Sequence, residues 1–155
     1  MQLALFNNFK VIIFNQINFL QMKHPDPVVH FELPIEDTQK LTDFYTHVFG
    51  WEIKLLGEEM GNYILATTTE MDTNGRPKEV GSINGGFYPK NDHEHDKHPS
   101  LVISVQNIEE AMKKIVSKGG KIIDNPRLIQ GIGKYVSFLD PENNQLSIME
   151  AILEN

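Results

Sequence analysis

The chain contains an internal repeat, and this repeat is the strongest constraint on its fold. The segment VVHFELPIEDTQKLTDFYTHVFGWEI, which begins at Val28, aligns without gaps with PSLVISVQNIEEAMKKIVSKGGKII, which begins at Pro99. The alignment places His30 on Ser100, 70 residues later, and Gly50 on Gly120. Self-similarity at a fixed spacing indicates that each copy folds as the same supersecondary unit.

Each copy begins with a short apolar strand that leads into a helix. Asp37 and Asn107 each offer a side-chain oxygen that caps the first turn of a helix. A glycine, Gly50 or Gly119–Gly120, ends each helix and suits a left-handed cap. Between these limits, apolar residues recur at the spacing of one buried helix face. They are Leu41, Phe44, Tyr45 and Val48 in the first copy, and Ile108, Ala111, Met112 and Ile115 in the second.

Strand-like segments follow each helix. They cover residues 51–56, 63–69 and 81–88 in the first copy, and residues 121–123, 135–139 and 146–150 in the second. A parallel doubly wound sheet would need helices between these strands, and the intervening segments are too short and too rich in turn residues to supply them. The sequence therefore predicts an α+β fold of two βαβββ modules. We place module one at 28–88, a polar linker at 89–98 and module two at 99–152, in a single domain over 23–155.

Composition excludes several classes of function. The 155-residue chain has no cysteine, so a metal would have to be held by His, Asp, Glu or amide oxygens. A chain without disulfides suits a cytoplasmic location. The net charge of −7, with no basic stripe interleaved with aromatic residues, argues against nucleic acid as a partner.

Residues 1–22 differ in composition from the rest and form an N-terminal extension. They are apolar and rich in asparagine, and Lys10 is the only charged residue among the first twenty-one. The asparagines interrupt the apolar run, which argues against a signal peptide and against a membrane span of about 20 apolar residues. Three interpretations stay open: an accessory element packed on the domain, a weak export or anchor segment, or a stretch ahead of a start at Met22. We expect no membrane partner.

Three segments resemble the vicinal-oxygen-chelate superfamily, which includes glyoxalase I, bleomycin-resistance proteins and extradiol dioxygenases. They are HFELPIEDTQKLTDFYTHVFGWE, INGGFYP from Ile83, and SFLDPENNQLSIME from Ser137, and the similarity runs over residues 28 to 152. The resemblance implies that the two βαβββ modules form a cup-shaped mixed sheet around a small-molecule site. It also implies a homodimer and, in many relatives, a divalent metal at the base of the cup.

The resemblance places metal ligands on the first and last strands of each module. His30 matches the ligand on the first strand of module one, and imidazole there suits Zn, Ni, Fe or Mn. The other three positions hold Ser100, Asn84 and Ser147, where imidazole or carboxylate would be expected. Three good protein ligands are the usual minimum, so we expect an incomplete metal site and no cofactor, with a divalent metal as the alternative. The iron triad of extradiol dioxygenases is not matched.

Strand periodicity gives the residues that line the cup. Glu32 follows His30 by two positions, so both side chains point to one face of the strand. The same alternation on the other strands places five further residues on this face: Asn84, Val102, Ser104, Ser147 and Met149. A buried, hydrogen-bonded histidine is the alternative role for His30, and a solvated or cation-paired carboxylate is the alternative for Glu32.

Two functions of different class remain open. The first is a protein that binds a small, mostly apolar or carbonyl-containing molecule in the cup. The alternative is a metal-dependent lyase or isomerase of the lactoylglutathione lyase type, in which His30 and Glu32 serve as metal ligands or as a catalytic acid–base pair. A separate cluster in the linker is either a solvated loop or a metal site. It consists of Asp92, His93, Glu94, His95, Asp96 and His98.

Overall fold

The structure is a computed structural model that describes residues 25–73, 76–90 and 98–152. The predictions made for residues 1–22 and for the linker residues from Asp92 to Asp96 lie outside these ranges. Within the described ranges, no helix has both the length and the apolar character needed to cross a bilayer.

Two βαβββ modules follow one another along the chain. The first comprises β1 (Val28–Ile35), α1 (Thr38–Phe49), β2 (Glu52–Leu55), a 3₁₀ turn (Glu58–Met60), β3 (Ile64–Thr67) and β4 (Asn84–Pro89). The second comprises β5 (Ser100–Ser104), α2 (Ile108–Ser117), β6 (Lys121–Ile122), β7 (Arg127–Ile129), β8 (Gly133–Leu139) and β9 (Gln145–Ala151). The predicted α+β fold is confirmed.

All nine strands form one mixed sheet, and its order shows the internal symmetry. The order is β2-β3-β4-β1-β5-β9-β8-β6, with β7 also paired to β8. Strands β1 and β5 meet antiparallel at the centre, where Phe31 pairs with Leu101, two residues that the 70-residue offset superposes. Strand β4 runs parallel to β1 and β9 runs parallel to β5. The local approximate twofold axis therefore passes between the first strands of the two modules.

Strand β7 was not predicted from the sequence. It pairs with the first half of β8 through Arg127 and Tyr135, whereas β6 pairs with the second half through Lys121 and Leu139. Together β6 and β7 occupy the place that β2 has in module one. Pro126 lies between them and has no backbone N–H to donate, so one continuous strand is replaced by two short ones.

The helix caps form as predicted. The Asp37 carboxylate accepts the backbone N–H of Lys40 at 3.0 Å, and the Asn107 amide oxygen accepts that of Glu110 at 2.9 Å. Gly50 ends α1 in the left-handed conformation with φ of 70°. These local signals fix the residue at which each helix begins. Each helix then crosses back over the strands of its own module.

Each helix packs on the convex side of the sheet and closes a separate core. Val136 and Ile148 are buried beneath α2. That helix packs against them through the predicted residues Ile108, Ala111, Met112 and Ile115. Beneath α1, the buried residues are Ile35, Ile64, Ala66 and Phe87, and Leu41 and Tyr45 pack against them.

The prediction that Phe44 and Val48 belong to the buried face of α1 was wrong. They are 53% and 57% exposed. Leu41 and Tyr45, four residues apart, already cover the sheet, so the outer edge of the apolar stripe faces away from it. The Phe44 and Tyr45 rings instead form a T-shaped contact, with 5.2 Å between ring centroids.

Candidate functional site

The concave face of the sheet carries the predicted site residues. Phe31 and Leu33 of β1 pack under α1, so the alternate residues His30 and Glu32 point to the opposite face. In the same way Ile103 packs under α2 and leaves Val102 and Ser104 on the concave side. Ser147 and Met149 share that side because their neighbour Ile148 is in the core.

The strand register brings these side chains to neighbouring positions. His30 lies between Asn84 of β4 and Val102 of β5, and Val102 in turn pairs with Ser147 of β9. The seven predicted lining residues therefore occupy one continuous area of the concave face. Their role in binding a ligand stays a prediction.

His30 is held in a partly buried pair with Tyr63. Its Nε2 atom lies 2.9 Å from the Tyr63 hydroxyl oxygen. Burial lowers the pKa of His30 to about 4, so the imidazole is neutral near pH 7 and has one donor and one acceptor nitrogen. The Tyr63 ring covers Gly86 so closely that a Cβ atom there would overlap it. A glycine in β4 thus makes room for the tyrosine that contacts His30.

Glu32 is bound by a chain of hydroxyl groups from module two. Tyr135 donates its hydroxyl hydrogen to Glu32 Oε2 at 2.7 Å, and its oxygen lies 2.6 Å from Ser147 Oγ. Ser147 Oγ lies 3.5 Å from Ser137 Oγ. Because a hydroxyl has only one hydrogen, donation from Tyr135 to Glu32 leaves the Tyr135 oxygen as the acceptor in its contact with Ser147.

Tyr63 and Tyr135 occupy equivalent positions in the two modules. Tyr63 precedes Leu65, the residue opposite Gly86, by two positions. Tyr135 likewise precedes Ser137, the residue opposite Ser147, by two positions. Burial raises the pKa of both tyrosines, and the nearby Glu32 carboxylate adds to the effect, so both hydroxyls remain protonated.

Sequence reasoning missed both tyrosines. They lie after the gapless part of the repeat, where the connections to β3 and β8 differ in length. Residues 63–69 and 135–139 were predicted as strands, and an alignment restarted at these strands would have superposed the two tyrosines.

Two other cup residues already have structural contacts. The Asn84 side-chain oxygen accepts the backbone N–H of Thr68 at 2.8 Å and its hydroxyl at 3.2 Å, which fixes the segment between β3 and β4. The Arg127 guanidinium lies 4.8 Å from the centroid of the Tyr135 ring, in a cation–π contact at the side of the cup.

The cup residues do not fit a divalent metal centre. His30 and Glu32 are the two described residues of ligand type at its base, and each already has a tyrosine hydroxyl as a hydrogen-bond partner. Serine and an engaged asparagine occupy the remaining family positions. Nowhere among the described residues do three or more His, Asp or Glu side chains come together as a metal-binding group. The His98 carbonyl accepts the Tyr88 hydroxyl at 2.8 Å.

Comparison with known families agrees with this architecture. The model of the Glyoxalase/Bleomycin resistance protein/Dioxygenase superfamily matches residues 28–148. The chain belongs to this superfamily, as the sequence motifs predicted. Comparison with curated protein sequences gives no significant match.

Solved structures show the same fold at low sequence identity. Methylmalonyl-CoA epimerase from Mycobacterium tuberculosis superposes with a TM-score of 0.59 at 12% identity, over 86% of this chain and 95% of that one. A superfamily member from Vibrio splendidus 12B01 gives 0.53 at 12% identity, over 80% and 97%. The epimerase from Streptomyces coelicolor in complex with 2-nitronate-propionyl-CoA gives 0.56 at 14%, over 83% and 100%.

Proposed function

We propose that this protein binds a small, mostly apolar or carbonyl-containing molecule in the cup without the help of a metal. The observation that carries the proposal is the pair of tyrosine-anchored contacts, His30 with Tyr63 and Glu32 with Tyr135, on the concave face. Their hydrogen bonds hold four polar side chains in place before any ligand arrives. Such preorganisation lowers the entropic cost of binding.

The surroundings of these pairs supply the apolar part of the site. Met149 is partly exposed on the same face beside Val102, which is 2% exposed, and the Tyr63 ring over Gly86 adds flat apolar surface. Small-molecule sites typically combine mostly apolar walls with a few fixed polar groups, and this arrangement follows that pattern.

The proposal is tested by a substitution that fills the cup, followed by analysis of the small molecules that the protein still retains. Protein purified under native conditions is denatured, and the released small molecules are identified by mass spectrometry. Met149→Trp places a large ring on the concave face, and Val116→Trp places the same ring on the exposed side of α2 as a control. We expect the released molecule to disappear in Met149→Trp only.

A variant with a smaller change keeps the test informative if Met149→Trp folds poorly. Tyr63→Phe removes one hydroxyl from the polar floor and retains the ring. The proposal predicts weaker retention of the released molecule in Tyr63→Phe. Equal retention in Met149→Trp, Tyr63→Phe and Val116→Trp would place the molecule outside the cup and refute the proposal.

A second candidate, metal-free acid–base catalysis on a carbonyl compound, is favoured by one observation. The Tyr135 hydroxyl contacts both Glu32 and Ser147. If the Glu32 carboxylate takes up a proton, it can donate to the Tyr135 oxygen while the hydroxyls of Tyr135 and Ser147 reorient. A carbonyl compound that binds the cup should then exchange its α-hydrogen with D₂O. Exchange followed by proton NMR should disappear in Glu32→Gln, and exchange that persists there would rule out this role.

A further inference from the structure

Two buried side-chain oxygens on the concave face have no hydrogen-bond partner among the residues that the structure describes. They are the hydroxyl oxygen of Ser100 on β5 and the amide oxygen of Gln145 on β9. Ser100 is only 4% exposed. A buried polar atom without a partner costs stability, and folded proteins rarely leave one without a structural or functional reason. Thr42 Oγ1 on α1 is a third such atom, on the convex side of the sheet.

Ser100 and Gln145 are neighbours in the cup. Val102 pairs with Ser147 in the parallel β5–β9 ladder, and two steps back along each strand lead to Ser100 and Gln145. Residues two positions apart on a strand share a face, so both side chains lie on the concave side. Two unsatisfied oxygens therefore lie on adjacent strands of the same surface.

The same two positions in module one are already satisfied. The repeat places Ser100 on His30, and Gln145 holds in β9 the place that Asn84 holds in β4. His30 is bonded to Tyr63, and the Asn84 oxygen receives two hydrogen bonds from Thr68. Ser100 and Gln145 hold the corresponding positions in module two, but the described part of the chain gives them no such partners.

We propose that Ser100 and Gln145 bind a ligand group that combines an N–H or O–H donor with an acceptor, such as a primary carboxamide or a hydroxyl. This inference rests on the proposed function and names the polar chemistry of its ligand. A carboxamide donates an N–H to the Gln145 oxygen and accepts the Ser100 hydroxyl on its carbonyl. A carboxylate has no donor, so it would leave the Gln145 oxygen facing another lone pair.

The neighbouring Glu32 carboxylate also disfavours an anion at Ser100. Glu32 is directly opposite Ser100 in the antiparallel β1–β5 ladder, where Cβ atoms are about 5 Å apart. Lys121 is an exposed cation on β6, two strands beyond Gln145 and so about 10 Å away between strand axes. Its attraction for an anion acts over twice the distance and is weakened further by solvent.

Matched pairs of amides and acids test the inference. Benzamide with benzoate, and cyclohexanecarboxamide with cyclohexanecarboxylate, are titrated into ¹⁵N-labelled protein while the backbone amides of β5 and β9 are followed by NMR. We expect each amide to bind roughly tenfold or more tightly than its acid, because the acid leaves a buried acceptor unpaired. Ser100→Ala and Gln145→Met should remove this preference, whereas the exposed controls Ser117→Ala and Gln106→Met should keep it.

Thermal unfolding separates a ligand role from a structural one. Because Ser100→Ala and Gln145→Met each remove an unpaired buried polar atom, both variants should melt at the same or a higher temperature. A melting temperature lower by more than about 5 °C would reveal an internal partner and overturn the inference.

The outcomes also distinguish this inference from the proposed function. The inference would be overturned if the acids bound the cup as tightly as the amides, or if Ser100→Ala and Gln145→Met left the binding of the amides unchanged. Either result would still support a cup that binds small molecules. If none of the four probes shifts the backbone amide resonances of β5 and β9, this inference fails, and the release experiment with Met149→Trp decides the proposed function separately.

Discussion

Substitution of Gly86 by alanine tests how the site is built. An added Cβ atom would overlap the Tyr63 ring and force it away from β4, which would break its contact with His30. Overpacking of this kind costs about 1–3 kcal/mol. The lost hydrogen bond adds about 1 kcal/mol. We therefore expect Gly86→Ala to lower the free energy of unfolding by about 2–4 kcal/mol, a loss that a typical domain survives.

Urea denaturation in a double-mutant cycle with Tyr63→Ala isolates the cause. Once the ring is removed the alanine has room, so Gly86→Ala should cost less than about 0.5 kcal/mol in that background. Gly57→Ala is a matched control, because its Cβ would meet only the side chain of Glu59, an exposed residue that can rotate away. A full loss in the Tyr63→Ala background would show that the backbone of β4, and not the ring, requires glycine, and would refute this account.

Four further predictions follow from the same contacts. The pKa of His30 is lowered in the folded state to about 4, so the unfolded chain binds the proton more tightly, and stability should fall as the pH drops from about 6.5 to 4. The loss in the free energy of unfolding should reach about 3 kcal/mol at most, and it should be smaller in His30→Gln. A urea midpoint that does not change over this pH range would contradict the prediction. Tyr135→Phe removes a donor from Glu32 and should cost about 1–3 kcal/mol in urea unfolding; a cost below about 0.5 kcal/mol would argue against the buried hydroxyl contacts. Elemental mass spectrometry of metal-supplemented protein should find well below one Zn, Ni, Fe or Mn per chain, and an equivalent lost in His30→Ala would show instead that the cup completes a metal site. Light scattering should give twice the chain mass of 17.7 kDa, because the superfamily resemblance implies a homodimer; the mass of one chain would refute that expectation.

The sequence by itself determined the architecture. The 70-residue repeat, the caps at Asp37 and Asn107 and the apolar periods of helices and strands are all local signals, and each predicts an element without knowledge of the others. The period of two along a strand also assigned His30 and Glu32 to one face, because successive side chains alternate. The same signals could not show that Phe44 and Val48 lie beyond the reach of the sheet.

Only the tertiary structure decided which side chains meet across the cup. Tyr135 contacts Glu32 from 103 positions away in the chain, and Tyr63 reaches His30 from 33 positions away. The unpaired oxygens of Ser100 and Gln145 become neighbours only through the β5–β9 pairing. Local patterns fix the face that a side chain occupies, whereas its partners depend on strand order, register and loop length, which are settled only when distant segments pack together.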